Sequence, residues 1–292
     1  MVSDSMGSDT RNRRERMYAP DPVVTMITTI LLLLLALLVS FPFLWMLRTS
    51  LMPETEALKF PPNWIPSSIN LTNYMKALTV QPFARYIANS LLVALLTVFG
   101  QLLFSSMGAY AFSRLHFPGR DKIFLLYLAT MMIPFQVTLV PLFVMISRVR
   151  WVDTYAALIV PGLASAYFTF LLRQFFLTIP TELEDAARID GAGYFRTFVT
   201  IILPLSTAAL ASCGLLAFMQ NWTSFLWPLI VIRTREFRTV PLGLIALRQE
   251  QGYIDFPQLM AGSAMAILPI MLVFILLQRY FVSGIAMTGL KG

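Results

Sequence analysis

Thr181–Leu205 reads TELEDAARIDGAGYFRTFVTIILPL. The chain before it is mostly apolar with scattered charges, yet five of the nine residues from Glu182 to Asp190 are charged. Thr181 with Glu184 three positions on spells a capping box, and Pro180 closes whatever helix precedes it. Glu182, Glu184 and Asp185 crowd a first turn, where the positive end of a helix dipole stabilises them. Glu184 and Arg188 stand at i and i+4 in the favourable order, a pair worth about 0.2–0.5 kcal/mol. Leu183, Ala186 and Ala187 are expected on one face, and Gly191 is placed to stop the helix in a left-handed turn. The stretch therefore predicts a short, capped, small-faced helix over residues 181–191, followed by a bend and a new apolar run.

Its surroundings are those of a membrane protein. The 292 residues are 57% hydrophobic and 13% charged, with a mean hydropathy of +0.71. Soluble domains are roughly 45–50% apolar and about a quarter charged. Charge-free runs cover 22–47, 86–113, 123–147, 154–172, 197–232 and 256–278. Each is long enough for the roughly 20 residues that a helix needs to cross hydrocarbon. The reading is all-α and polytopic, with six spans near 23–47, 87–113, 123–147, 155–178, 204–232 and 258–280. Residues 1–20 read as a disordered tail and 21–292 as one transmembrane domain. Arg11, Arg13, Arg14 and Arg16 precede the first span, but its run is too long for a signal peptide, so an uncleaved anchor is expected. Those arginines and the compact Arg114/Arg120/Lys122 turn favour an inside N-terminus, and six spans then return the C-terminus to the same side. Pro42, Pro134, Pro141, Pro161 and Pro269 fall within spans and are expected to bend them.

Several chemistries are missing. An ion-coupled secondary transporter, the alternative from another class, usually carries ionisable groups at membrane depth, and the middles of all six spans are uncharged. One Cys (Cys213) and one His (His116) leave no disulfide framework and no His/Cys metal cluster. Cys213 sits among small residues and reads as packing, and His116 as a solvated loop residue. No phosphate-binding GxxxxGK[ST] loop is present, and the net charge of +7 is spent at membrane flanks, not on a nucleic-acid surface. No catalytic residue is expected. Asn221, Trp222 and Phe225, near the outer half of the fifth span, could stack on and hydrogen-bond a sugar along a substrate path. Trp227 reads as an interfacial anchor.

The segment around Asp190 resembles the EAA loop of binding-protein-dependent ABC importer permeases, in which an EAA triplet is followed by Asp-Gly-Ala and an apolar run to Ile-x-Leu-Pro. Ala186, Ala187, Asp190, Gly191, Ala192, Ile201, Leu203 and Pro204 match, and Asp185 stands where the pattern has Glu. FLLRQFFLTIP (170–180), NWTSFLWPLIV (221–231), QRYFVSGIAMTGLKG (278–292), NLTNY (70–74), ANSL (88–91) and AYAFSRLHFPGRDK (109–122) are similar to the carbohydrate-uptake subfamily typified by the maltose permease subunit MalG. Ile285, Ala286 and Met287 depart from its usual ending. The resemblance implies the type I importer permease fold with both termini cytoplasmic, in a prokaryotic inner membrane. It implies three kinds of partner: a second homologous permease, two ATP-binding subunits that hold ATP and Mg, and an extracytoplasmic solute-binding protein. It also implies that no cofactor is bound by this chain itself, and that movement proceeds by alternating access. Glu182, Glu184, Asp185, Ala186, Ala187, Asp190 and Gly191 would couple to the ATPase, with Gly289, Leu290 and Lys291 of the tail as further contacts. The cargo implied is a sugar, or alternatively glycerol phosphate or another polyol.

Overall fold

A computed structural model of the chain describes residues 22–249 and 254–289. The N-terminal tail, Leu290 and Lys291 lie outside them. Among the described residues four helical stretches are long and apolar enough to cross a membrane without a sharp bend: Pro22–Ser50, Phe83–Arg114, Tyr155–Phe176 and Phe256–Arg279. Two bent pairs bring the number to six if each is one span. The long helices are α1 (Pro22–Ser50), α3 (Phe83–Arg114) and α12 (Phe256–Gly289), with α2 (Thr72–Val80) between the first two.

The bends have identifiable causes. The third apolar run is not one helix: α4 (Arg120–Ala129) runs through a 3₁₀ turn to Met132, and α5 (Phe135–Arg148) leaves at 97°. Pro134 forces Ile133 before it out of the helical region, to ψ 114°. The fourth run is interrupted as well, α6 (Tyr155–Ile159) giving way to a 3₁₀ turn at Val160–Gly162 before α7 (Ala166–Phe176). The Ser165 hydroxyl caps α7 by accepting from the Phe168 N–H. Gly162 is required at this break, because a Cβ there would lie 2.8 Å from Thr97 Cγ2 on α3.

The apolar run expected to hold the fifth span, near 204–232, is not one helix. After the charged helix α8 (Glu182–Ile189), the chain turns through Tyr194–Thr197 and a π-helix at Phe198–Ile202. Pro204 has no N–H to give to the turn before it, and the chain bends by 78° into α9 (Thr207–Trp222). α9 ends at Trp222. Leu226–Val231 is a separate short helix, α10, whose third residue, Pro228, is tolerated only near a helix start. α11 (Val240–Gln249) precedes α12. Pro42, Pro141 and Pro269 lie inside continuous helices.

α3 organises the molecule. It contributes Ala109 and Tyr110 to a cluster with Phe168, Leu172, Phe198 and Ala217, and Phe83, Tyr86 and Ala94 to a second with Phe218, Trp222, Val240 and Ala266. Val93 joins a third with Leu139, Leu158, Trp227 and Val231. Uncharged polar groups along α3 tie it to its neighbours. Asn89 donates to the carbonyls of Glu236 and Arg238 and accepts from Tyr155, while the Ser90 hydroxyl accepts from the Val240 N–H. Most of α1, by contrast, exposes its Leu, Val and Phe side chains, as a helix facing lipid or another subunit must.

Candidate functional site

α8 is bounded at both ends by backbone chemistry. Pro180 cannot extend α7, and the Thr181 carbonyl accepts from the N–H groups of Glu184 and Asp185 at 3.0 and 3.1 Å. At the other end Ala192 N–H reaches the Ala187 carbonyl at 2.9 Å and Gly191 N–H the Arg188 carbonyl at 3.0 Å. This is the paired bonding of a Schellman end, with Gly191 at φ +79° as its left-handed residue.

The capping box is not formed. Thr181 has helical backbone angles and no side-chain cap bond, and Glu184 is drawn away from the helix end altogether. Its Oε1 lies 2.8 Å from Arg114 Nε, with the two side chains only 4% and 7% exposed. Tyr110 donates to its Oε2 at 3.5 Å. Arg114 Nη2 also donates to the carbonyls of Phe176, which closes the last turn by accepting from the Ile179 N–H as well, and of Ile179 just beyond α7. The expected Glu184–Arg188 pair is therefore replaced: Arg188 pairs with Asp185 at 3.6 Å and lies over the Tyr194 ring. A buried carboxylate demands a charged partner far more strongly than an exposed i+4 contact rewards one.

The expected small face is also split. Ala187 points inward beside Glu184, whereas Leu183 and Ala186 point outward. Glu182, Asp185, Asp190 and Gly191 are exposed. Ile189 and Phe195 are 87% and 72% exposed, and Tyr194 and Leu183 join them. The outer surface of α8 and the turn after it thus combines an apolar knob with carboxylates at its margins. Arg114 and Tyr110 were missed as members of this site. Arg114 ends an apolar run, where a charge reads as a membrane flank, and its partner lies on another element.

Elsewhere the expected residues separate. Trp222 is 3% exposed, donates to the Ala266 carbonyl at 3.1 Å and stacks on Phe218. Trp222, expected along a substrate path, is thus enclosed within its own chain. Asn221 is half-buried and donates to Gln101 Oε1 at 3.2 Å, which brings Gln101 of α3 beside it. Phe225 is half-buried in the break after α9. Trp227 is buried and donates to the Ala157 carbonyl at 2.8 Å. Of the tail residues, Gly289 ends α12.

Residues 101–287 match the family described as binding-protein-dependent transport system inner membrane component. The arabinooligosaccharides transport system permease protein AraQ of Halalkalibacterium halodurans is 37% identical over 93% of this chain and 98% of its own. The sn-glycerol-3-phosphate transport system permease protein UgpE of Brucella abortus is 36% identical over 91% and 98%. A chain of a bacterial ABC transporter involved in the import of the acidic polysaccharide alginate has the same fold. Its TM-score is 0.80 at 23% identity, covering 90% of this chain and 99% of that one. With an α-helical membrane fold, a short charged helix at Glu182–Ile189 between apolar spans, and this likeness over nearly its whole length, the chain belongs to the family of binding-protein-dependent transport system inner membrane components.

Proposed function

We propose that this permease forms one half of the translocation pathway for an oligosaccharide, beside a second homologous permease, and that α8 couples the pathway to an ATP-binding subunit. ATP and Mg are held by two such partner subunits, and an extracytoplasmic binding protein delivers the solute. α8 is the observation that carries the reading. It is a two-turn rigid helix, stopped at Gly191, whose inward side is fixed by Glu184 and whose outward side offers Leu183, Ala186, Ile189 and Phe195 between carboxylates. Such a knob suits an apolar cleft with basic margins. A rigid helix in that cleft passes movement of the ATPase pair to the spans, which supports alternating access.

The relatives' names divide between oligosaccharide and glycerol phosphate cargo. The uncharged spans favour the neutral solute, since a phosphate ester at membrane depth calls for a cation beside it. The amides of Gln101 and Asn221 can both donate to and accept from hydroxyls.

The test has two arms. A thermal-shift screen of the cognate binding protein against oligosaccharides, polyols and glycerol phosphates identifies the cargo, and stabilisation by glycerol phosphates alone overturns the oligosaccharide. Vesicles holding the assembled complex are then assayed for uptake with and without internal ATP and Mg. Uptake by this chain alone, without ATP, would falsify the coupled reading.

A further inference from the structure

We propose that Arg114 is a positioning residue for energy coupling, its guanidinium locking α8 to the inner ends of α3 and α7 so that the three are displaced together. The inference rests on α8 being the docking helix. α8 is too short to hold its shape alone in water, and both of its chain connections are turns. Its buried inward positions are Glu184 and Ala187. A methyl group packs but sets no direction, so the carboxylate is what orients the helix.

Arg114 stands at the last turn of α3 and acts on two elements at once. Nε meets Glu184 on α8, while Nη2 takes the carbonyls of Phe176 at the end of α7 and Ile179 just beyond it. The two carbonyl bonds of Nη2 and the ion-pair contact of Nε, which lacks hydrogen-bond geometry, are carried by one rigid planar group. Tyr110, one turn earlier on α3, reaches the other Glu184 oxygen. Arg173 of α7 adds a separate tie by donating to the Phe112 carbonyl of α3 at 3.1 Å. A push on α8 thus meets a charged joint, closed to water, between two spans.

Stability alone does not account for this pair. Apolar residues of similar volume would hold a short helix at least as well, whereas a buried pair fixes register. Lysine in its place is a point charge on a flexible stem and does not hold the carboxylate and both carbonyls on one rigid group. Glu184 is accordingly assigned to the joint and not to the ATPase surface.

The experiment uses the complete transporter in proteoliposomes, with uptake and ATP hydrolysis measured in the same vesicles. Glu184→Gln and Arg114→Lys are each expected to lower solute carried per ATP at least tenfold, while the ATPase subunits still co-purify. The double variant should be no worse than the poorer single, as for residues acting as one unit. An unchanged ratio in both singles, or losses that multiply in the double, overturns the inference. Should neither variant assemble, hydrogen exchange in the wild-type complex decides. Residues 176–190 and 110–114 should open together in both the nucleotide-free and ATP-bound states, and independent opening overturns the joint. Failure of wild-type permease to co-purify with the ATPase would instead remove the docking reading on which this one rests.

Discussion

Gly191 shows how a single residue can be judged from its backbone. A Cβ added there would meet nothing within 4 Å, so the whole penalty of Gly191→Ala is the left-handed backbone at φ +79°, about 1–2 kcal/mol. We expect hydrogen exchange at Gly191 and Ala192 to quicken roughly five- to thirtyfold, with a smaller change in Gly191→Asn. Asp153 is a second case. Burial opposes its ionisation, but the backbone N–H groups of Arg233 and Thr234 and the Thr234 hydroxyl outweigh this and hold its pKa below the ordinary 3.8. A lowered folded-state pKa stabilises the fold fully above the unfolded value and progressively less as pH falls through the folded one. Protection of the Arg233 and Thr234 amides should therefore be flat near neutrality and decline below the ordinary carboxylate range. Asp153→Asn should remove that decline. Gly191 was legible in the sequence because its role is local: a stop signal after a periodic run. Glu184 was not. A capping box and an i+4 pair are also local patterns, and both lose to a guanidinium on a different span.

Among the elements, charge-free length located the apolar runs but not their shape. Pro134 announces the break between α4 and α5, because a proline restricts the residue before it. The end of α9 at Trp222 has a more distant mark, Pro228, which shows that a helix must restart but not where the first one stops. Neutral residues continue to Ile232, and the burial of Trp227, Pro228 and Val231 against α6 separates α10 as an element of its own. The reading of Trp222 meets the same difficulty, since an aromatic beside an amide suits a sugar site and a packed core equally well in sequence. What separates them is three-dimensional: an indole N–H held by Ala266 and a ring stacked on Phe218. The close seam between α3 and α11 gives the prediction for this scale. A Cβ at Gly243 would stand 2.3 Å from Cδ2 of Tyr86, a fully buried ring whose hydroxyl bonds Gln81. The ring cannot swing aside without breaking that bond, so Gly243→Ala should destabilise by about 1–3 kcal/mol. A lowered melting temperature of the detergent-solubilised permease, with insertion unaffected, is the measurement.

In the whole molecule, the distribution of burial argues for a partner. Even the most enclosed span, α3, has only 39% of its most apolar window buried within the chain, and α1 has none. Lipid can cover such surfaces, but lipid cannot serve the half-buried Asn221 beside Gln101 or the polar side of α3. A second permease can, and it would also close the pathway that one subunit leaves open. Because a partner that binds only the folded chain stabilises it by mass action, co-expression with the cognate second permease should raise the melting temperature by several degrees. The rise should depend on protein concentration in dilute detergent, where the pair dissociates. Equal melting temperatures for the lone chain and the purified pair would mean that this subunit is complete by itself, and the open face of α1 would then belong to lipid.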